Sequence, residues 1–359
     1  MITRILTTIL CFTFVLGFAG NPDRQGESGA GELLLNPWAR SAGFHSMNTS
    51  FVGGVEAFRL NPAGIGRLNS NREIVVANTR LYEGSTLQLN GLGYAQKAKN
   101  GKGAFGVTMT NVSFGDIEIT TENNPEGTGG TFSPSFFNLG IGYAHTYENK
   151  ISVGLLVRGI SENLTALSAF GVAVDAGVQY VSGFNDEFKL GISLRNIGTP
   201  MAFGGNALGT DVLGGEIGNQ YIINLENTSK SFELPSQLNI GISYDIYFTK
   251  TDDGEGNMLA DKNMFITLLG NFTSNAFSRD QIGAGAEFTY RNIVQLRAAY
   301  KYEVGSVEGR ENVYTGFSGG ASFMFKLNKE GGTRMSLDYA YRTTNPFRGT
   351  HNIGLRLML

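Results

Sequence analysis

The side chains that could support catalysis or metal binding are few and scattered in this sequence. Its three histidines, His45, His145 and His351, lack the short spacing of metal ligands. Gly-x-Gly patterns at 91–93 and 283–285 lie inside alternating segments and not before helices, so they are poor dinucleotide signals and better explained as room for packing. No Ser-His-Asp grouping stands out. We therefore predict a protein that is not an enzyme, with no catalytic residue, no metal site and no cofactor.

Charged side chains do recur, at alternate positions along one face of the predicted strands. Both signs occur, interspersed with Gly, Ser and Asn. These residues could form a network of ion pairs that keeps a wall rigid, or they could line a selective ion pore. The mixture of signs favours the network. The set comprises Arg158, Asp175, Lys189, Arg195, Asp245, Glu287, Arg297, Lys301, Glu303, Lys326, Asp338, Arg342 and Arg356.

The elements that position these side chains are strands, because apolar residues recur at every second position. In the last nine residues the apolar side is Ile353, Leu355, Leu357 and Leu359. Similar segments recur along the chain, and the second of them changes phase at Gly91, which suggests a bulge. The predicted strands are 72–81, 86–97, 101–112, 135–147, 150–161, 170–182, 187–198, 235–249, 262–274, 280–290, 292–303, 313–327, 332–343 and 349–358.

The length and number of these strands predict a fold class. Strands of about ten residues at a tilt span the ~25 Å apolar band of an outer membrane, whereas strands of soluble proteins have about 5–6 residues. In lipid the sheet must close, because an open edge leaves backbone groups unpaired. We predict an all-β protein: a transmembrane antiparallel β-barrel of about 14 strands with a small N-terminal plug or hatch. The alternative is cross-strand packing in a soluble sandwich.

Composition agrees with strands as the membrane-crossing elements. After the N-terminus no stretch approaches the roughly 20 apolar residues that a transmembrane helix needs. The 50 glycines show no collagen-like period and fit many strands and turns. The net charge is −3 and no basic stripe exists, so we predict outer-membrane lipid as a partner and exclude nucleic acid.

Residues 1–20 have the features of a secretory signal peptide. Arg4 supplies the positive charge, 5–18 the apolar region, and Ala19 and Gly20 the small residues near a cleavage site. The single cysteine, Cys11, lies within this segment, so we expect a mature chain without disulfides. The predicted location is the outer membrane of a Gram-negative bacterium.

The residues between the signal and the first strand form a separate region. Residues 21–31 are polar and rich in glycine, while 32–70 mix apolar residues with Gly and Pro and lack alternation. We interpret 21–70 as an N-terminal extension and a short plug that enters the periplasmic mouth of the barrel. Residues 71–359 then form the barrel.

Connection lengths give an independent check on the strand list. Every second connection is short, at 98–101, 148–150, 183–187, 291 and 328–331, as expected of periplasmic turns. The longest connections, 113–134 and 199–233, fall on the other side. The acidic connection at 250–261 breaks the rule, so either a functional loop lies there or the strand count is locally wrong.

The region before the first strand carries a family resemblance. Ala39-Arg40-Ser-Ala-Gly43, followed by Phe58-Arg-Leu-Asn61-Pro62-Ala63-Gly64, resembles the start of the PorV/PorQ family of outer-membrane proteins. That resemblance implies a barrel of about fourteen strands associated with type IX protein secretion. The Asn-Pro-Ala-Gly element also resembles the FadL-type transporters, so it indicates the wider superfamily without choosing between the two.

The same motif has a physical interpretation. Asn61 is suited to cap a turn, Pro62 fixes φ, and Gly64 allows close approach of the backbone. Arg40 could pair with a lumen carboxylate. We favour an anchored plug over a direct ligand role for the motif residues Arg40, Gly43, Asn61, Pro62, Ala63 and Gly64.

Three functions remain open at this level. By resemblance to PorV, the chain would be an accessory of type IX secretion whose extracellular loops bind the translocon or cargo with a C-terminal signal domain; we prefer this hypothesis. The alternative is a FadL-type transporter of hydrophobic small molecules, and the third is a structural or gliding-associated protein. Candidate ligand or partner residues in the loops are Phe132, Phe136, Met201 and Phe203.

Overall fold

A computed structural model describes residues 21–99, 101–214, 221–252, 258–305, 312–327 and 332–359. The proposed signal peptide and the turn at 328–331 therefore lie outside the described residues. In the described residues, fourteen strands form a closed barrel in which sequential barrel strands are antiparallel neighbours and the last strand pairs with the first.

The barrel strands, numbered in chain order with the short strands outside the barrel, are β1 (Arg72–Arg80), β2 (Gln88–Lys97), β3 (Gly103–Ser113), β6 (Ser135–Tyr147), β7 (Ile151–Leu164), β8 (Leu167–Ser182), β9 (Phe188–Gly198), β12 (Gln237–Tyr247), β15 (Met264–Asn275), β16 (Gln281–Tyr290), β17 (Val294–Glu303), β18 (Gly316–Lys326), β19 (Arg334–Arg342) and β20 (Thr350–Met358). The short strands form hairpins: β4 (Ile117–Glu118) with β5 (Thr131–Phe132), β10 (Gly209–Gly214) with β11 (Tyr221–Glu226), and β13 (Lys250–Asp252) with β14 (Met258–Ala260). Each predicted strand corresponds to one barrel strand, so the predicted all-β barrel is confirmed.

The two faces of the wall separate as the alternation requires. Outward side chains such as Ile141, Leu155 and Phe170 are exposed, whereas their sequence neighbours are buried inside. An apolar outer surface is what lipid contact demands, since an outward charge near the bilayer centre costs about 2–4 kcal/mol.

The predicted bulge at Gly91 is wrong. Strand β2 pairs with both neighbours without a register shift. Leu89 breaks the apparent phase because it faces inward and packs against Leu81 and Val112. The irregularity lies instead between β8 and β9, next to Asp175.

The ends of the barrel differ. We call the end with the connections 114–134 and 199–236 the long-loop end, and the opposite end the short-turn end. The exceptional connection at 250–261 is on the short-turn end, where β13 and β14 form a hairpin whose tip, 253–257, lies outside the described residues. The strand count there was therefore correct.

Residues 21–71, the N-terminal segment, fold without strands. They contain the 3₁₀ helices Pro22–Arg24, Gly31–Leu34, Gly54–Arg59 and Pro62–Arg67 and one short helix, α1 (Ala39–Ala42); a further 3₁₀ helix is Asn206–Leu208. None of the helices within the described ranges has the length and apolar character needed to cross a bilayer.

The expectation of a short plug at one mouth is wrong, because the segment runs through the lumen. Its first residues lie at the long-loop end, where the Gly29 N–H donates to the Glu233 carbonyl. Ala30 and Leu33 are buried there in an apolar cluster with Met201 and Leu234. The chain then passes inside the wall and reaches the short-turn end at Arg67, which donates to the Lys150 carbonyl at 2.8 Å.

Candidate functional site

Inward-facing glycines of the wall make room for the N-terminal segment. A Cβ on Gly154 would overlap the backbone of Pro62, and one on Gly177 would overlap the side chain of Asn61. Gly283 similarly faces Met47. A side chain at these positions would displace the segment, since packed interiors hold few voids larger than a water molecule. Part of the high glycine content is thus explained by the contents of the lumen.

Asn61 connects the segment to the wall. Its Oδ1 accepts from the Ala63 N–H at 3.2 Å and caps the 3₁₀ helix that begins at Pro62. Its Nδ2 donates to the carbonyls of Thr49 and Val178, each at 3.1 Å. The residue is fully buried, so the amide satisfies backbone groups of both the segment and β8.

The residues after Asn61 close a tight turn inside the segment. Ala63 and Pro62 are buried, and a Cβ on Gly64 would overlap the Val52 carbonyl and approach the Ala57 side chain. Only glycine therefore fits at this position without moving the backbone of a neighbouring turn.

Arg40 and Gly43 lie at α1, against the opposite side of the wall. Arg40 donates to Glu287 Oε1 at 3.0 Å. A Cβ on Gly43 would press on the Arg297 side chain, and the Gly43 carbonyl accepts from Ser318 Oγ at 2.9 Å. The six motif residues thus all contact the wall or the segment itself, and none lines a cavity of the long-loop end.

Ion pairs join the segment and the wall through the middle and the short-turn half of the lumen. Arg356 pairs with Glu56, which also accepts from the Ser41 N–H at 3.0 Å. Arg40 of the segment likewise pairs with Glu287 of the wall, and the other buried pairs lie within the wall. We call this group the ion-paired region: Arg40–Glu287 at 3.0 Å, Arg297–Glu287 at 3.2 Å, Arg158–Asp175 at 2.7 Å, Lys189–Asp245 at 2.5 Å, Arg356–Asp338 at 3.6 Å and Arg356–Glu56.

A cavity of about 300 Å³ lies at the long-loop end, between the N-terminal segment and the wall. Its floor is formed by segment residues, and its sides by the inward ends of β9, β12, β15, β16, β17 and β19. We call it the cationic cavity. Its lining comprises Gln25, Gly31, Leu34, Leu35, Asn36, His45, Ser46, Arg59, Leu60, Tyr82, Arg195, Gln237, Asn239, Thr273, Ser278, Gln281, Lys301, Asn312, Val313, Tyr314 and Arg342.

In the part of the chain that the structure describes, the lining includes the arginines Arg59, Arg195 and Arg342 together with Lys301 and His45, but no Asp or Glu. Among the described residues, no carboxylate oxygen lies within 4.0 Å of Arg59, Arg195, Lys301 or Arg342. The arginines donate instead to neutral oxygens: Arg59 to Leu35 O at 2.6 Å, Arg195 to Leu33 O at 3.2 Å and Arg342 to Asn36 O at 3.4 Å.

Aromatic and apolar groups complete the cavity. Tyr82 and Tyr314 stack with ring centroids 6.0 Å apart, and the Arg342 guanidinium lies 4.3 Å from the Tyr314 ring centroid. His45 is 1% exposed, and neither of its ring nitrogens has a hydrogen-bond partner among the described residues. The site therefore combines cations that have no carboxylate within 4.0 Å among the described residues with unused polar atoms.

Met201 and Phe203 lie at the base of the connection between β9 and β12. Met201 is 1% exposed and exchanges backbone hydrogen bonds with Phe232 at 2.9 and 2.8 Å. The rings of Phe203 and Phe232 are 5.7 Å apart and cover the apolar cluster around Leu33. This part of the connection folds over the N-terminal segment, and neither residue lines the cationic cavity.

Phe132 and Phe136 lie elsewhere. Phe132 pairs with Ile117 in the β4–β5 hairpin. Phe136 packs edge-on against Phe114 at 4.9 Å and belongs to the cluster of Leu81, Leu89 and Val112. The four candidate loop residues are therefore not brought together, and their role toward a ligand or partner stays a prediction.

The cavity was not predicted from the sequence, although three of its cations were correctly predicted to lie on the inward face. Arg195, Lys301 and Arg342 all lie near the long-loop end of their strands. The inward acids Glu287, Asp245 and Asp338 lie deeper, so the position of each charge along its strand was the available signal. Arg59 and His45 carried no comparable signal.

The comparisons with known proteins concern the fold. Neither a scan against protein-family models nor a search of curated proteins gives a match. Among solved structures, the CymD monoaromatic hydrocarbon channel is 14% identical with a TM-score of 0.51 over 90% of this chain and 97% of that one.

Two further structures are similar to a lesser degree. The TodX deltaS2S3 mutant monoaromatic hydrocarbon channel is 14% identical with a TM-score of 0.49, covering 89% of this chain and 97% of that one. A Pseudomonas aeruginosa FadL homologue is 11% identical with a TM-score of 0.48, covering 89% and 96%. At these identities the likeness concerns the fold alone: this chain shares the barrel fold of the CymD channel.

Proposed function

We propose that this chain is an outer-membrane channel that admits small molecules from its long-loop end, and that the N-terminal segment keeps the lumen closed until it moves. The observation that carries the proposal is the cavity of about 300 Å³ at the long-loop end, whose floor is the segment itself. Ligand sites in barrels commonly lie at such mouths, and this volume suits a molecule of few atoms. The fold shared with CymD supports the same function.

The packing of the segment explains why the channel must open by movement. Pro62 and Asn61 fill the space beside Gly154 and Gly177, and Phe58, Ile65 and Ala63 are buried. Because these residues are packed against the wall, we expect passage of a solute to require that the segment leaves part of the wall. The segment also meets the wall through buried apolar clusters, such as Phe58 and Ile65 with Leu156, so opening must separate apolar as well as polar contacts.

A disulfide that locks the segment to the wall tests this proposal. A Cβ built on Gly354 lies 3.4 Å from the Ala39 Cβ, close to the roughly 3.5–4.5 Å of natural disulfides. We consider the variant A39C/G354C in phosphatidylcholine liposomes, with succinamide, the neutral diamide of succinate, as the solute. The variant should pass succinamide more slowly when oxidised than when reduced. The single-cysteine variants serve as controls and should not respond to reductant.

The outcomes of the locking experiment are distinct. Equal flux in the oxidised and reduced states would show that the segment is not the gate. Absence of flux of both succinamide and succinate, in the native chain and in the reduced variant alike, would contradict the channel itself.

A second candidate function, an accessory of type IX secretion, is favoured by one observation. The β10–β11 hairpin extends from the long-loop end with exposed apolar side chains, among them Tyr221 at 59%, Ile222 at 69% and Leu225 at 50%. Exposed apolar groups of this kind serve partner docking. Purification from native membranes, with I222D as the comparison, tests it: a secretion component should co-purify with the native chain and be lost with the variant. If the same proteins co-purify with both, the hairpin is not the docking surface.

A further inference from the structure

We infer that the cationic cavity binds a small organic dianion, such as a dicarboxylate, and that it is selective for this charge over neutral molecules of the same shape. The inference rests on the proposed function, because it names the solute class for the same cavity. It differs from what the names of the similar structures state, since those channels are named for monoaromatic hydrocarbons.

Positive charge is concentrated in the cavity and is not a property of the whole chain. The whole chain carries a net charge of −3, so an excess of cations is not its general property. Elsewhere in the lumen, Arg158, Arg297 and Arg356 each pair with a carboxylate. In the cavity Arg195, Lys301 and Arg342 have no carboxylate within 4.0 Å among the described residues. Buried charges are normally paired, and an anion from solution would supply the missing partner.

The cavity also offers hydrogen-bond donors that have no acceptor among the described residues. The Nε–H groups of Arg195 and Arg342 are buried and lack a partner among the described residues. No hydrogen bond joins the Lys301 ammonium to another described residue. Carboxylates accept several such donors at once, and charge-assisted hydrogen bonds are about twice as strong as neutral ones.

The cations of the cavity come from well-separated parts of the barrel. Arg195 lies on β9 and Arg342 on β19, six positions apart in the order of the fourteen strands. Arg59 belongs to the segment and donates to the Leu35 carbonyl. Cations on both sides of the cavity suit two negative groups. Leu34 and Leu35 offer apolar surface to a hydrocarbon spacer between them.

The test measures binding of succinate and of succinamide, its neutral diamide, by calorimetry on the purified full chain in a non-ionic detergent. Succinate should bind and succinamide should not. K301M should weaken succinate binding about tenfold, and K301E more strongly, because each removes a charge-assisted contact. Because Lys301 makes no hydrogen bond to the described residues, neither change breaks a contact of the wall. Circular dichroism and heat-modified mobility in gels verify the folded barrel.

The matched control is R348Q, which removes one positive charge from the exposed β19–β20 connection at the same end. It should change succinate binding by less than about twofold, since an exposed charge is screened by water and salt. An equal loss in R348Q and K301M would overturn the inference, because binding would then follow total charge and not the cavity.

The failures of the inference and of the proposed function are distinguishable. If succinamide enters liposomes through the protein but succinate neither binds nor enters, the channel stands and the dianion inference is overturned. If neither molecule binds or passes, the proposed function itself fails.

Discussion

The two parts of the lumen balance their buried charges in different ways. In the ion-paired region every named arginine or lysine has a carboxylate within 4.0 Å, and several pairs are nearly inaccessible to water, such as Arg158–Asp175 with 3% and 1% of the side chains exposed. In the cationic cavity the arginines donate to backbone carbonyls and amides, and no carboxylate belongs to the lining that the described residues form.

This difference indicates what each part is for. A buried pair contributes little net stability but is costly to break, because a single remaining charge is left without compensation. The ion-paired region therefore holds the N-terminal segment in one position. A cluster of cations without carboxylate partners has the opposite property. It is stabilised when an anion binds, which suits a binding site.

The largest expected effect comes from breaking a pair. Asp175→Leu leaves the Arg158 guanidinium buried beside a carbonyl and an amide, and it also removes the acceptor of the Asn196 N–H at 2.6 Å. We expect a loss of about 3–5 kcal/mol in the free energy of unfolding. Urea unfolding in lipid vesicles measures it. The double variant R158M/D175L should recover part of the loss, and no recovery would argue against an ion-pair effect.

A second prediction moves the segment without touching a charge. Gly154→Val places a side chain where Pro62 lies, so the segment must shift, at a cost of roughly 1–3 kcal/mol. The flux of succinamide into liposomes should rise at the same time. Gly159→Val on the same strand is the control, because its Cβ would meet only Phe170 at 3.9 Å. Similar succinamide flux through both variants would show that the position of the segment does not control opening.

Much of the fold could be predicted from the sequence, because a two-residue alternation and a closed sheet leave few choices. The bulge at Gly91 was wrongly predicted because the apolar side chain of Leu89 faces the lumen as part of a local cluster. Alternation identifies a face only where the inside is polar. The path of the segment could not be predicted either, since it depends on long-range contacts such as Gly29 with Glu233.

The candidate site was predicted only in part. Inward cations were identified correctly, but whether each has a partner depends on strand register and on the segment that fills the centre. Arg40 and Glu287 are 247 positions apart and meet only because the segment that carries Arg40 lies inside the barrel. Met201 and Phe203 were predicted as apolar loop residues for a ligand or partner. The contacts that bury them come from Leu33 and Phe232, which are distant in the sequence.

The third prediction concerns pH in the cavity. Burial lowers the pKa of His45 well below its usual value, and the nearby cations Lys301 and Arg342 lower it further. Below a pH of about 6.5 the unfolded chain binds a proton at His45 that the folded chain excludes. The free energy of unfolding therefore falls as the pH drops below this value, whereas above it His45 causes no such loss. The loss is at most about 1.4 kcal/mol per pH unit.

His45→Asn tests this dependence, because asparagine tolerates the positive φ of 51° at this position. The difference in unfolding free energy between pH 7.5 and pH 5 should be smaller in the variant than in the native chain. Carboxylates titrate in both proteins and cancel in the comparison. Identical pH profiles would show that His45 does not resist protonation.

The smallest effect decides most sharply between the two parts of the lumen. Lys301→Met removes a cation that has no carboxylate partner among the described residues and lies near Arg342 and Arg195, so without ligand the variant should be more stable, by about 1 kcal/mol. Saturating succinate should reverse the order, because an anion that binds only the folded state stabilises the native chain more. Urea midpoints with and without succinate measure both signs. A loss of stability without ligand, as in Asp175→Leu, would mean that Lys301 is compensated like the deeper cations, and the distinction between the two regions would disappear.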